Sequence, residues 1–413
     1  MGRKQPKLTN ISESGKKTVA IIGGGIVGLA TGHQLLLRFP SVRLLLLEKE
    51  SSPGKHQTGH NSGVLHCGLY YKPGSAKARL AVEGIQQMVQ FCQRHTIPHE
   101  MCGKIVVATQ EDELPLLQAL HERGQANGLA GLRLLGPEQI RELEPHAAGL
   151  EALHVPQEGI VDYTAVVHAM VDEIRGNGGD IRFSSEVTGL QNRDGWIIET
   201  TSGEYEAGFI INCAGLHCDR ISRKAGARDP AKIVPFRGEY YNLRADSQHL
   251  VRNLIYPVAN PKFPFLGVHF TRMIHGGIEA GPNAVLALAR EGYRHTDISI
   301  RDMIETLTYR GFWNFFLRYP AMCWEEFRRS FSKHLFCQSL QRLVPEIRIE
   351  DLSPGGAGVR AQALAPNGEL VQDFHFVEQD RALHVLNAPS PAATASLAIA
   401  DEIVTRAQNA ILS

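Results

Sequence analysis

Between Thr18 and Glu48 the chain runs apolar strand, glycine turn, helix, apolar strand and acid, an order that few folds accommodate. Residues 19–22 are a continuous apolar run of strand length, the pattern of a parallel strand buried on both faces. Gly23, Gly25 and Gly28 then form G-x-G-x-x-G. A helical pattern follows through Leu37 and stops near Pro40, and a second apolar strand, residues 42–47, ends in Glu48. Gly23 permits the tight turn, Gly25 lets a pyrophosphate reach the backbone, and Gly28 with Gly32 lets the helix pack closely on the strands. The helix N-terminus supplies free N–H groups and a positive dipole end for phosphates. Glu48, twenty residues after Gly28, can accept hydrogen bonds from ribose hydroxyls. This context turns a weak glycine motif into a strong expectation of dinucleotide binding.

The residues after Glu48 bear on which dinucleotide is bound. In NAD-dependent dehydrogenases the next elements usually continue the α/β alternation. Here residues 51–68 form a loop with many small residues and no apolar period. Such a loop suits lying with its backbone against a flat ring, which favours FAD. Lys and Arg number 43, as do Asp and Glu, so the net charge is zero and no nucleic-acid partner is expected. Seven cysteines form no C-x-x-C pair, which offers no zinc cage or disulfide framework and fits a reducing compartment. No metal site is expected. No apolar run approaches the roughly 18 residues of a membrane helix. Residues 1–17, with Arg3, Lys4, Lys7, Lys16 and Lys17 against Glu13, read as a disordered basic tail.

Further along, helical spacing covers 75–95 and 111–128, and 104–109 reads as a strand. Thr164 is the expected N-cap of a helix running to Ile174. Short strands are expected at 181–184, 187–190, 196–200 and 209–213, with strand-rich sequence at 233–243 and 254–270. Ala214-Gly215 offers a second close backbone approach to the cofactor. Ten aromatic residues fall between 309 and 336. Two readings stay open for them: helices packed on a second domain, or a surface that touches a membrane. A last helix is expected from about Pro391 to Leu412, with its N-terminus directed at the flavin ring.

Several stretches are familiar beyond the first turn. They are Gln57-Thr-Gly-His-Asn-Ser-Gly-Val-Leu-His66, Gly68-Leu-Tyr-Tyr-Lys-Pro-Gly74, Phe263-Pro-Phe-Leu-Gly-Val-His-Phe270, Gly358-Val-Arg-Ala-Gln-Ala363 and Asn387-Ala-Pro-Ser-Pro-Ala-Ala-Thr394. With them the chain resembles the FAD-dependent L-2-hydroxyglutarate dehydrogenase/oxidase family, within the D-amino-acid oxidase superfamily, from about residue 18 to 400. The likeness is weaker from 293 to 340. It implies an α/β (mixed α+β) fold: a Rossmann-like FAD-binding domain of the D-amino-acid oxidase type with an inserted, strand-rich substrate domain. The expected partition is 18–90, 145–230 and 345–413 for the FAD-binding domain, and 91–144 and 231–344 for the substrate domain. The implied reaction is oxidation of L-2-hydroxyglutarate, a dicarboxylate, to 2-oxoglutarate. Electrons would pass to quinone, another acceptor or oxygen. The implied location is cytoplasmic, with peripheral inner-membrane contact left open, or mitochondrial if the source is eukaryotic.

That reaction needs a base for the hydroxyl proton, at least one cation and several donors for the dianionic substrate, and a hydride acceptor. His60, in the loop placed beside the flavin, is the first candidate base, with flavin contact or covalent attachment as its alternatives. His269 is the rival base. Arg360 is the first choice for gripping a carboxylate. Tyr71, Lys72, Arg237 and Tyr256 are second-line substrate contacts. The expected cofactor contacts are Gly23, Gly25, Gly28, Glu48, Lys49, Thr58, Gly59, His60, Asn61, Ser62, Val187, Ala214, Gly215, Gly358, Arg360, Asn387, Ala388 and Pro389. An amine oxidase of the same superfamily and a non-catalytic FAD-binding partner are the competing readings.

Overall fold

The computed structural model describes residues 17–260 and 265–412. All of the expected basic tail except Lys17, together with Phe263 and Pro264, therefore lies outside the described residues. One sheet has six strands in the order His375–Gln379, Ala382–Asn387, Phe209–Asn212, Thr18–Ile22, Arg43–Leu47 and Asp180–Arg182. Its neighbours pair parallel except His375–Gln379, which is antiparallel. From Thr18–Ile22 the chain goes to Arg43–Leu47 on one side and Phe209–Asn212 lies on the other. That is a switch point, where open parallel sheets bind ligands beyond their strand ends.

The helices are α1 (Ile26–Arg38), α2 (Ala76–Arg94), α3 (Leu114–Ala126), α4 (Pro137–Leu143), α5 (Tyr163–Gly176), α6 (Cys218–Lys224), α7 (Ile300–Leu307), α8 (Arg310–Arg318), α9 (Pro320–Ser330), α10 (Lys333–Gln341) and α11 (Ser396–Leu412). Strand alternation explains the continuous apolar runs. Val19, Ile21, Leu44, Leu46 and Ile211 face a core shared with α1, α2, α5 and α11. Ala20, Ile22, Leu45, Leu47 and Ile210 face the other way, onto Trp196 and Ile198. Those two belong to an antiparallel meander, Val187–Asn192, Trp196–Thr200 and Gly203–Ala207. Both faces being covered, alternating polar residues would each lose hydration without gaining a partner.

A nine-stranded sheet carries the other half of the molecule. Its order is Val285–Leu286, Lys232–Leu243, Ile278–Gly281, His269–Arg272, Leu254–Pro257, Lys104–Ala108, Glu151–Val155 and Arg133–Leu135, with Leu352–Leu364 paired to Lys232–Leu243. Glu151–Val155 and Leu352–Leu364 thus sit in this sheet although both fall within the segments expected to form the FAD-binding domain. Ile105, Val107, Ile255 and Phe270 face a core closed by Phe336 and Leu340 of α10. Val106, Leu254 and Tyr256 face the first core. Alternation puts Lys104 and His269 on that same inner side.

Four local expectations are corrected. Helix α5 begins at Tyr163, and its cap is Asp162, whose carboxylate accepts the Ala165 N–H at 2.9 Å, not Thr164. Asp and Thr are both good caps, and the one nearer the preceding strand prevails. The expected strand region 254–270 contains two short strands, Leu254–Pro257 and His269–Arg272. The expected helix 111–128 is a 3-10 turn, Glu111–Glu113, followed by α3. Helix α11 starts at Ser396, because residues 391–395 are spent in turns. Those turns seat Thr394, whose hydroxyl lies 2.7 Å from the Tyr163 hydroxyl and accepts the His66 N–H at 3.1 Å. The start of α11 abuts α2, where a Cβ on Gly84 would come 2.5 Å from Ala395 Cα.

Candidate active site

The turn after Thr18–Ile22 is closed by its own neighbours. Gly23 has a φ of +114°, and a Cβ there would lie 2.4 Å from the Cys213 carbonyl oxygen. A Cβ on Gly28 would lie 2.0 Å from the Gly23 carbonyl oxygen. At Gly25 the nearest atom is Thr58 Oγ1, 3.5 Å away, so the space above this residue is open. Gly25 is the N-cap of α1 and has no side chain to satisfy the first-turn N–H groups. Thr58 Oγ1 reaches across from the following loop and accepts the Ile26 N–H at 3.0 Å. Glu48 is buried, with Oε2 accepting the Gly24 N–H at 2.5 Å and Oε1 the Glu50 N–H at 2.8 Å. A bare backbone cradle at a helix N-terminus, with a fixed carboxylate at the next strand end, fits the pyrophosphate and ribose of a dinucleotide.

The other expected cofactor residues divide. Ala214 donates its N–H to Asn212 Oδ1 at 3.1 Å, and Gly215 turns the chain with a φ of +51° at the same strand ends. Lys49 Nζ lies 2.5 Å from Glu50 and 2.6 Å from Glu291, in a cluster with His56 and His217. Glu50, His56 and Glu291 bring metal-ligand atoms within 4.8 Å of one another, but the Lys49 ammonium already pairs with both carboxylates. Asn61 organises its own loop, donating to the Thr58 carbonyl at 2.6 Å and accepting the Gly63 N–H at 2.8 Å. Gly59 is exposed and Ser62 half-buried beside it. Val187 is buried in the meander core. Asn387 is buried and ties strands together, donating to the Val371 and Asp373 carbonyls at 2.8 and 2.9 Å, with Ala388 and Pro389 following it. Gly358 meets the loop rather than open space: a Cβ there would lie 2.2 Å from the His60 carbonyl oxygen.

The two candidate bases stand in different surroundings. His60 is exposed, stacks on Tyr293 at 4.2 Å, and donates from Nδ1 to the His56 carbonyl at 3.0 Å. His269 is buried and stacks on Tyr256 at 3.8 Å. Its Nδ1 lies 2.9 Å from the Gly267 carbonyl. A carbonyl only accepts, so the proton is on Nδ1 and Nε2 keeps its lone pair. Burial pushes the His269 imidazole down to about 3, against a smaller upward pull from the Gly267 carbonyl. His66, Lys104 and Arg360 add to the depression.

Beneath Tyr256 is a buried charge pair that sequence reading missed. Lys104 Nζ lies 2.7 Å from Glu158 Oε2, with both side chains essentially inaccessible. The same Nζ sits over the rings of Tyr70 at 4.7 Å and Tyr256 at 4.8 Å. Among the described residues it makes no hydrogen bond of good geometry. His66 Nδ1 is 3.3 Å from Glu158 Oε2, and Cys67 Sγ donates to Oε1 at 3.4 Å. Burial would raise the Glu158 carboxyl, but Lys104 and His66 outweigh it and hold the group at about 2. The signal available in the sequence was a lysine inside an apolar strand, Lys104-Ile-Val-Val-Ala108. A lysine buried there needs an acid, and nothing local names Glu158 as that acid.

Arg360 lies on Leu352–Leu364 with its guanidinium 5.7 Å over the Phe265 ring. It has no carboxylate partner among the described residues. Arg237 differs: its donors go to Glu239 Oε1 at 2.7 and 3.0 Å, the Arg294 carbonyl at 3.1 Å and His295 at 2.9 Å. Tyr71 is half-buried under Lys77, with burial pushing its phenol up, and Lys72 is exposed in a turn. The geometry gathers Tyr256 and His269 with Lys104 and Glu158, and Arg360 acts on His269 electrostatically. It does not bring Lys72, Arg237 or the His60 ring to that cluster.

The family model described as FAD dependent oxidoreductase matches residues 18–406. The L-2-hydroxyglutarate dehydrogenase of Indibacter alkaliphilus is 49% identical over 383 residues, covering 92% of this chain and 96% of that protein. The mitochondrial L-2-hydroxyglutarate dehydrogenase of Mus musculus is 44% identical, covering 94% of this chain and 87% of that protein. Among solved structures, the FAD-bound L-alpha-glycerophosphate oxidase of Mycoplasma pneumoniae superposes with a TM-score of 0.75 at 22% identity, covering 95% and 94% of the two chains. The chain belongs to the FAD-dependent oxidoreductase family, and within it stands with the L-2-hydroxyglutarate dehydrogenases. Its cofactor is FAD.

Proposed function

We propose that this enzyme oxidises L-2-hydroxyglutarate to 2-oxoglutarate, with His269 as the base and Arg360 as a carboxylate clamp. What supports the roles is geometric: a buried His269 whose Nδ1 proton is held by the Gly267 carbonyl, which leaves Nε2 free to accept one, and an Arg360 without a carboxylate partner among the described residues. The substrate rests on relatives named for it at 44–49% identity over nearly the full chain. Gly25, the first turn of α1, Glu48 and Thr58 would hold the dinucleotide. The chemistry FAD supplies when bound is acceptance of the hydride that leaves C2. The chain's own residues do the rest. Arg360 grips one carboxylate through paired N–H groups, which fixes the hydroxyl carbon in place. His269 Nε2 takes the hydroxyl proton, and its neutral ring then becomes a cation beside an oxygen losing its proton. Glu158 offsets the Lys104 charge that would otherwise oppose this.

Residues 18–90, 145–230 and 345–413 are proposed to form the FAD-binding unit and 91–144 and 231–344 the substrate unit, with Glu151–Val155 and Leu352–Leu364 serving the sheet of the latter. Reoxidation requires an electron acceptor, for which quinone or oxygen is proposed. The proposed location is the cytoplasm, or the mitochondrion in a eukaryotic source.

Steady-state kinetics of the holoenzyme with a soluble dye acceptor tests the roles. His269→Gln is expected to lower kcat about 10²- to 10⁴-fold with FAD retained, the usual span for a lost general base. Arg360→Ala is expected to raise KM roughly 10- to 100-fold, the loss of a charged hydrogen-bond pair worth about 1.5–3 kcal/mol. Near-normal turnover in His269→Gln, with a collapse in His60→Gln, would move the base to His60.

A further inference from the structure

One carboxylate joins the two sides of the switch point. Glu291 lies between the strand Val285–Leu286 and α7, in a segment that leaves the nine-stranded sheet. Its Oε1 is 2.6 Å from Lys49 Nζ and 2.8 Å from His217 Nε2, with His56 Nε2 at 3.6 Å. Lys49 follows Glu48, just past the strand Arg43–Leu47. His217 follows Ala214-Gly215, just past the strand Phe209–Asn212. Those strands are the two neighbours of Thr18–Ile22, whose turn carries the Gly25 cradle. The tie therefore runs from one flank of the dinucleotide cleft to the other, and a segment from the other sheet supplies it.

The residues on either side of Glu291 fasten the same segment. Arg290 is buried; its guanidinium pairs with Asp219 of α6 and donates to the Leu216 carbonyl at 2.6 Å. Its own backbone N–H goes to Asp302 Oδ2 at 2.8 Å. A buried charge pair is costly to break, so Arg290 is the fixed root of the segment. Tyr293 is the second hold. Its hydroxyl is 2.9 Å from His56 Nδ1, and its ring stacks on His60 at 4.2 Å. His56 and His60 belong to the loop that lies against the glycine turn: Gly54 donates its N–H to the Gly24 carbonyl at 3.1 Å, and Thr58 accepts the Ile26 N–H of α1. Residues 290–293 thus bind the loop 49–60 to the turn 214–219. An isolated half-exposed ion pair contributes little, but a carboxylate shared by an ammonium and an imidazole, on a segment rooted by a buried arginine, acts as a network.

We propose that Glu291 is a positioning residue for FAD: acting through Lys49, His56 and His217, it holds the two flanks of the cleft together and slows release of the bound flavin. A carboxylate that merely added negative charge near the pyrophosphate would have the opposite effect. Removing such a charge would tighten the hold on an anionic cofactor, whereas removing a tie loosens it. The proposal needs FAD and not the substrate proposed above, so its failure leaves that substrate untouched. The test is flavin release from the holoenzyme on dilution, followed by the rise in flavin fluorescence, in the parent, Glu291→Gln, Glu291→Asp and Tyr293→Phe. Thermal melting of each apoprotein is read alongside. Release is expected to be about tenfold faster in Glu291→Gln, the loss of one charge-assisted hydrogen bond. Glu291→Asp is expected to fall between it and the parent, and Tyr293→Phe to be faster than the parent by a smaller factor. The apoproteins are expected to melt within about 2 °C of one another. Release from Glu291→Gln at the parent rate or slower overturns the proposal. So does faster release matched by a fall in apoprotein melting, which would mark a general loss of packing. If Glu291→Gln does not fold, unchanged release from Tyr293→Phe overturns it.

Discussion

His269 carries its proton on one nitrogen only, and burial keeps the other nitrogen bare across the working range. With its imidazole pushed to about 3, kcat/KM is expected to show no limb from this group near the ordinary value of 6.5. A pH–rate profile that bends at 6.5 in the parent and not in His60→Gln would contradict it. The same burial has a consequence for stability. An unfolded His269 binds a proton below about 6.5, whereas the folded one stays neutral down to about 3. In that window the unfolded chain holds more protons, so stability falls as pH falls. Glu158, at about 2 when folded against 4.5 unfolded, adds to the same trend at lower pH. Thermal melting followed from pH 7 to 4 is expected to drop, and His269→Gln is expected to flatten the upper part of the drop.

At the scale of elements, the glycine turn and the Lys104 strand make opposite demands. Gly28→Ala puts a methyl 2.0 Å from a backbone oxygen that no side chain can relieve, so α1 must shift away from the sheet. The expected outcome is protein purified with little flavin, read from the ratio of absorbance at about 450 nm to that at 280 nm. Lys104→Met removes the lysine of a buried pair and leaves Glu158 with His66, at 3.3 Å, in place of the ammonium, a loss of about 3–5 kcal/mol. Lys104→Met with Glu158→Gln is expected to melt above the single variant, because the orphaned charge is gone. The first turn was legible because its constraints are local: glycine spacing, flanking apolar runs and Glu48 all lie within one unit. Glu158 was not, because its partner lies more than fifty residues earlier in the chain. That Asn387 fastens the Val371 and Asp373 carbonyls was not legible, since an amide in a motif looks the same whether it binds a ligand or the backbone.

For the whole molecule, short motifs carry the family and the folded sheet carries the site. The stretch around Gly267 pointed to a site, but only the sheet puts His269 on Tyr256 above Lys104. The aromatic run from 309 to 336 read first as helices packed on a second domain, and the structure divides it: Phe312, Phe315 and Phe336 are buried while Trp324 and Phe331 are exposed. The most direct measurement is the visible spectrum of the purified protein under anaerobic conditions, before and after L-2-hydroxyglutarate, with the D enantiomer and glycine as controls. The expected result is a flavin band bleached by the L form alone. A band that L-2-hydroxyglutarate leaves unchanged, or that glycine bleaches instead, would contradict the proposed substrate.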